Sequence, residues 1–251
     1  MEAIDWEKIA SSKLFKFFVG PERREFMVHS AIVARQSRVL NTLVNGNFSE
    51  APEGHATLES VDEQTFVSFI QYAYTGDYSE KWPQRPDTPG EATSMRSQPN
   101  TASISCTCSQ RQQEPSLWKT FKSTVNKRQS IFHPRPNTDA KQDYTDVFIS
   151  HARLYIFADC YQISDLMCLT LSKLGQTLVL FKLYTRRVKD VVKLLEYCFG
   201  NPAPDELRSM LAVYTACKIE KMSKNESFKQ LLMAENELSA RLVEELIHRL
   251  R

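Results

Sequence analysis

"REFMVHSAIVARQSRVLNTLVNGNFSEA", residues Arg24 to Ala51, runs from a β-prone segment into a short helical turn, with His29 at the joint. If His29 were part of a reactive centre, the chain would be read as an enzyme. If it only joins two elements, the chain is read as a scaffold. A catalytic histidine needs a nucleophile to serve and a partner to orient it. Ser30 is the adjacent residue, and neighbours on a strand point to opposite faces. The chain has no Gly-x-Ser-x-Gly elbow, and its seven glycines leave little material for a phosphate loop. His29 is therefore read as structural, a half-buried histidine that needs only a backbone hydrogen bond.

Working outward, "LFKFFVG" and "REFMVH" are two β-prone runs joined by Gly20-Pro21-Glu22-Arg23, which predicts a hairpin. Ser37 is placed to cap "RVLNTLVN", whose Val39, Leu40, Leu43 and Val44 form one apolar face ending near Gly46. "ATLES" predicts another short strand. Asp62 then caps "EQTFVSFIQYAYT", where Phe66, Phe69, Ile70 and Ala73 keep helical spacing until Gly76. These elements give a first part over residues 1–82.

From 83 to 143 the pattern breaks into Pro, Ser and Thr with no sustained period, and basic residues outnumber acidic ones. Such a stretch buries too little apolar surface to offset the entropy of ordering it, so it is expected to be a mostly disordered insertion. Lys119, Lys122, Lys127, Arg128 and Arg135 interleave there with Trp118, Phe121 and Phe132. That mixture keeps a second reading in view, a nuclear regulator touching nucleic acid or chromatin partners by charge and stacking. Cys106-Thr107-Cys108 with His133 has the wrong spacing for structural zinc.

Helical signals return at Tyr144. Phe148, Ala152, Tyr155 and Ala158 share a face, as do Met167, Leu171, Leu174, Leu178 and Phe181 after an expected cap at Ser164. Residues 144–182 are read as the helical completion of the first part. Residues 183–251 are read as an all-α tail closing on Leu238, Leu242, Leu246 and Leu250.

A formal net charge of +2 gives no global electrostatic reason for a nucleic-acid or membrane partner. No membrane span is expected, and the acidic start does not resemble a secretory signal. The chain is thus expected to be intracellular, in nucleus or cytoplasm. Cys160, Cys168, Cys198 and Cys217 lie in apolar helical patterns and are expected as small core residues. Neither a cofactor, a metal nor a small-molecule substrate is expected.

Taken together, these motifs resemble a BTB/POZ domain of the kind common in filamentous fungi. The resemblance rests on Phe26, Val28 and His29 of "FMVH", Ser37 of "RQS", the "NGNFSEA" turn, and Tyr74-Thr75-Gly76 closing a helix with an acidic start. After the insertion it continues through Ala158-Asp159 and Tyr161-Gln162-Ile163. It implies an α+β fold, a mixed sheet with helices, and a function in protein–protein contact. Phe48-Ser49-Glu50 resembles the hydrophobic-x-Glu element with which some members engage a cullin, which would make Phe48 and Glu50 partner-binding residues of a ubiquitin-ligase adaptor. Self-association is less strongly implied. The family's common Asp before the first strand is absent, and Ser11-Ser12-Lys13-Leu14 stands in its place.

Overall fold

The computed structural model describes residues 5–46, 50–85, 116–127 and 132–250, with the side chains at 50, 51, 126, 127, 249 and 250 outside the description. After α1 (Trp6–Ala10), strand β1 (Leu14–Val19) pairs antiparallel with β2 (Arg24–His29), in register Phe15↔Val28 and Phe17↔Phe26. The chain then turns through α2 (Ser30–Ala34), α3 (Arg38–Asn45) and α4 (Glu50–Glu53). This crossover returns β3 (His55–Leu58) parallel to β1, giving a mixed sheet of order β2-β1-β3.

Alternation decides which sheet face is covered: Phe15, Phe17 and Val19 point inward and are buried. Helix α5 (Glu63–Thr75) lies against them. Asp62 caps it by accepting from the Thr65 N–H at 3.0 Å, and Gly76 ends it in the left-handed conformation at φ 76°.

The second half is helical: α6 (Ser116–Lys127), α7 (Thr145–Cys160), α8 (Ser164–Leu180), a 3-10 turn (Thr185–Arg187), α9 (Val188–Gly200) and α10 (Asp205–Cys217). It finishes with α11 (Ile219–Met222), α12 (Glu226–Ala234) and α13 (Asn236–Leu250). Two hydrophobic cores result, and α7 and α8 belong to both. Leu154, Phe157 and Ala158 of α7 and Leu166 of α8 bury into the sheet core. Phe148, Ala152 and Tyr155 of α7 and Leu171, Leu174 and Leu178 of α8 face the helical core. Each of these helices carries apolar residues on two faces, each face meets a different core, and together they form the shared wall. A chain of rings, Phe17–Phe66–Phe69–Phe157–Tyr161, with centroids 4.7–5.8 Å apart, carries the packing from β1 to the end of α7.

Three local expectations change. Part of the stretch read as a disordered insertion is packed: α6 buries Trp118, Phe121 and Val125, and residues 132–143 are tied to the helices. The anchors repeat at i, i+3 and i+7, but one short helix flanked by long polar stretches averages out of a composition count. Ser164 does not cap α8, which is preceded by Ile163 with no side-chain cap. Cys160 and Cys168 are exposed, whereas Cys198 and Cys217 are buried, because the first pair falls on the outer sides of the α7–α8 turn.

Candidate interaction surface and its frame

The joint at His29 is built from two elements. Its Nδ1 lies 2.7 Å from the Tyr74 hydroxyl, and its backbone N–H donates to the same oxygen at 3.3 Å. One hydroxyl can donate to the ring and accept from the backbone, so the end of β2 is fixed to the last turn of α5. His29 offers α2 no side-chain cap. Instead the Ser12 hydroxyl accepts from the Ala31 N–H at 3.3 Å and donates to the Ile9 carbonyl at 2.8 Å. Serine at that position thus joins α1, β1 and α2.

The other motif residues fall around this joint. Val28 is buried, and Phe26 is half-buried with its ring 5.3 Å from Phe66. Ser37 caps α3, accepting from the Leu40 N–H at 3.1 Å. Ala158 is buried, and its carbonyl accepts from the Ile163 N–H at 2.8 Å across a turn in which Gln162 takes φ 54°. The Tyr161 ring packs tilted against Phe157 with centres 4.7 Å apart, and burial pushes its hydroxyl up to about 12.

Beside the joint, α1, α2 and α3 enclose a polar cleft of about 560 Å3, lined by Lys8, Ser12, Ser30, Arg35, Asn41 and Asn45 among others. Asn45, the last residue of α3, lines this cleft, and Phe48 and Glu50 follow it three and five residues later in sequence. Phe48 and the Glu50 side chain lie outside the described residues. Glu50 is the first residue of α4.

On the other side of α5, a clamp closes the base of the insertion. Gln84 and Asp143 exchange backbone hydrogen bonds at 3.0 and 2.8 Å, and Gln84 Nε2 donates to Asp146 at 2.6 Å. The Arg135 guanidinium stacks 3.5 Å from the Trp82 ring centre and pairs with Glu80 at 3.3 Å. The chain before residue 85 and the chain after residue 142 are thus joined to each other at one place.

Behind the clamp sits a buried polar group that sequence reading missed. Lys173 of α8 is only 2% exposed. Its ammonium donates to the Tyr78 carbonyl at 2.6 Å, pairs with Asp77 at 2.5 Å and lies 4.2 Å from the Tyr78 ring centre. The Tyr78 hydroxyl is 2.7 Å from His151 Nδ1, while His151 Nε2 has no hydrogen-bond partner. Burial, reinforced by the Lys173 charge, pushes His151 down to about 3, so the ring is neutral at ordinary pH. The signal was a single lysine inside the otherwise apolar and small-polar "LTLSKLGQTLVL". A charge buried there needs partners from elsewhere in the chain, and the loop after α5 supplies them. The group ties the loop after α5 to α7 and α8. Among the described residues no cluster of His, Cys, Asp or Glu is placed to hold a metal.

Residues 15–91 match the family described as BTB/POZ domain. The chain carries a BTB/POZ domain. The match accounts for the sheet, α2 to α5 and the loop into the clamp. The core of this BTB/POZ domain extends beyond the matched span, through Leu154, Phe157, Ala158, Ile163 and Leu166. No curated protein matches the chain. The domain makes the chain a protein–protein interaction module, and no helix among the described residues is long and apolar enough to cross a membrane.

Proposed function

We propose that the chain is a non-enzymatic adaptor that presents substrates to a cullin ubiquitin ligase, through Phe48 and Glu50 of its BTB/POZ domain. The observation that supports this reading is the polar cleft between α1, α2 and α3, whose rim residue Asn45 leads into the Phe48-Ser49-Glu50 segment. A phenylalanine three residues beyond Asn45 in sequence is the type of residue that anchors an interface, and the cleft's polar side chains are the type that surrounds one. The split domain with a helical tail fits the filamentous-fungal members that the sequence resembles, acting in nucleus or cytoplasm.

The test is capture of a purified cullin N-terminal domain by the full chain, compared with Phe48→Ala and Glu50→Ala. The reading requires wild-type capture and a loss of about tenfold or more for Phe48→Ala, the size expected of one interface anchor. Equal capture by all three chains, or capture by none, removes it.

The nucleic-acid reading loses its stacking groups. Trp118 and Phe121 are buried in the helical core, and Phe132 lies against His151 and Lys173. Aromatic rings committed to the interior offer no platform for bases.

A further inference from the structure

We infer that the groove between α8, α10 and α13 is a helix-binding site, and that α6 is a built-in occupant which a basic amphipathic helix of another protein displaces. This does not depend on the cullin reading. Helix α6 lies between two stretches outside the described residues and meets the groove through Trp118, Phe121 and Val125, at i, i+3 and i+7. The Trp118 and Phe121 rings stack at 5.5 Å and both lie against Tyr214 of α10. Lys218 sits 3.5 Å from the Trp118 ring centre, and Val125 rests on Gly175 of α8, where the absence of a side chain lets the helices approach. Aromatic and branched anchors at this spacing are the signature of helix-in-groove recognition.

The occupant fits imperfectly. A cavity of about 300 Å3 remains between α6 and the groove, with Leu171, Met210 and Val213 on the groove side. Facing it, α6 offers Leu117, Phe121 and Val125, and between them Thr120 and Thr124, whose hydroxyls donate back to their own helix, to the Ser116 and Thr120 carbonyls. Two threonines at the mouth of an apolar space leave contact unmade that leucine or methionine would make. The groove rim carries Glu206 and Glu245, and α6 carries three lysines and no acid. The displacing helix is therefore basic, with anchors at i, i+3 and i+7, and aliphatic residues where α6 has threonine.

The experiment uses the full chain and two labelled peptides: residues 116–127, and the same peptide with Thr120→Leu and Thr124→Leu. Each is titrated into wild type and into Trp118→Ala/Phe121→Ala, in which the internal competitor is weakened. The substituted chain is expected to bind at least about tenfold tighter than wild type, since loss of two aromatic anchors weakens the helix that competes for the groove from within the same chain. The leucine peptide is expected to bind tighter than the parent to both. Equal binding to both chains, or no binding to either, overturns the inference. Should the double substitution fail to fold, hydrogen exchange on wild type decides. The leucine peptide is expected to strip protection from α6 amides while α8 and α10 stay protected. Unchanged α6 protection at a peptide concentration that saturates mass-spectrometric detection overturns it equally.

Discussion

Gly175→Ala is a sharp probe of how the insertion joins the fold. A Cβ built at Gly175 would lie 2.7 Å from Val125 Cγ2 and 3.1 Å from Cγ1. Valine is stiff at χ1, so no rotation clears both methyls. In a bare helix, alanine is favoured over glycine by about 1 kcal/mol. Against that, forcing a methyl into a filled contact costs about 1–3 kcal/mol. The net expectation is a loss of about 0–2 kcal/mol in the wild-type background. In a Val125→Ala background both offending methyls are gone, and Gly175→Ala should instead gain about 0.5–1 kcal/mol from propensity alone. The coupling between the two sites is then about 1–3 kcal/mol, well above the additivity error of distant sites. Urea unfolding of the four chains, followed by far-ultraviolet circular dichroism, measures it. If Gly175→Ala stabilises both backgrounds equally, α6 does not pack on α8 and the reasoning about the groove fails with it.

Two further outcomes follow from the buried polar group. Tyr78→Phe removes the hydroxyl 2.7 Å from His151 Nδ1 and leaves both ring nitrogens without a partner. The expected loss is about 1–3 kcal/mol by denaturant unfolding, the cost of an unsatisfied buried polar group, and no loss would mean the contact contributes nothing. His151 sets a pH dependence. Its native value of about 3 lies below its unfolded value of 6.5, so the unfolded chain binds the proton more readily between them. Stability from this group is complete above about pH 6.5 and falls by up to about 1.4 kcal/mol per pH unit as pH drops towards 3. Outside this group, Asp190 of α9, which accepts from the Tyr144 N–H at 3.0 Å and lies 3.5 Å from Arg187, has the opposite sign: burial pushes it up to about 6, and stability is lost as pH rises from 3.8 towards 6. His151→Gln should therefore flatten the acid-side loss relative to wild type, and Asp190→Asn should steepen it. Identical pH profiles for wild type and His151→Gln would contradict the buried neutral imidazole.

Periodicity and turn chemistry are local, and they were legible. The hairpin at Gly20–Arg23, the caps at Ser37 and Asp62 and the stop at Gly76 each depend on a few neighbouring residues. The "FMVH" and "YQI" motifs could be quoted before the structure for the same reason. Their physical role needed it, because the Tyr74 hydroxyl that fixes His29 comes from 45 residues away. Legibility failed where a residue answers to distant partners. Lys173 could be noticed as an odd charge but not paired, since Asp77 and Tyr78 lie across the insertion. Cys160 and Cys168 share an apolar pattern with true core residues, and only the packing of α7 on α8 decides that they face outward.

The sequence by itself determined the α+β class, the hairpin of β1 and β2, the strand β3 and helices α2, α3 and α5, whereas α1 and α4 were not read from it. Short-range sterics, capping and hydrophobic period act within a dozen residues and need no knowledge of the rest. Tertiary structure alone decided that α7 and α8 serve two cores, that the insertion is clamped at Gln84 and Asp143, and that α6 returns to fill a groove of the helical half. Those outcomes depend on which apolar faces meet after the chain has closed loops of tens of residues. Loop closure costs entropy that grows only slowly with length, so the local pattern carries little trace of where a segment comes to rest.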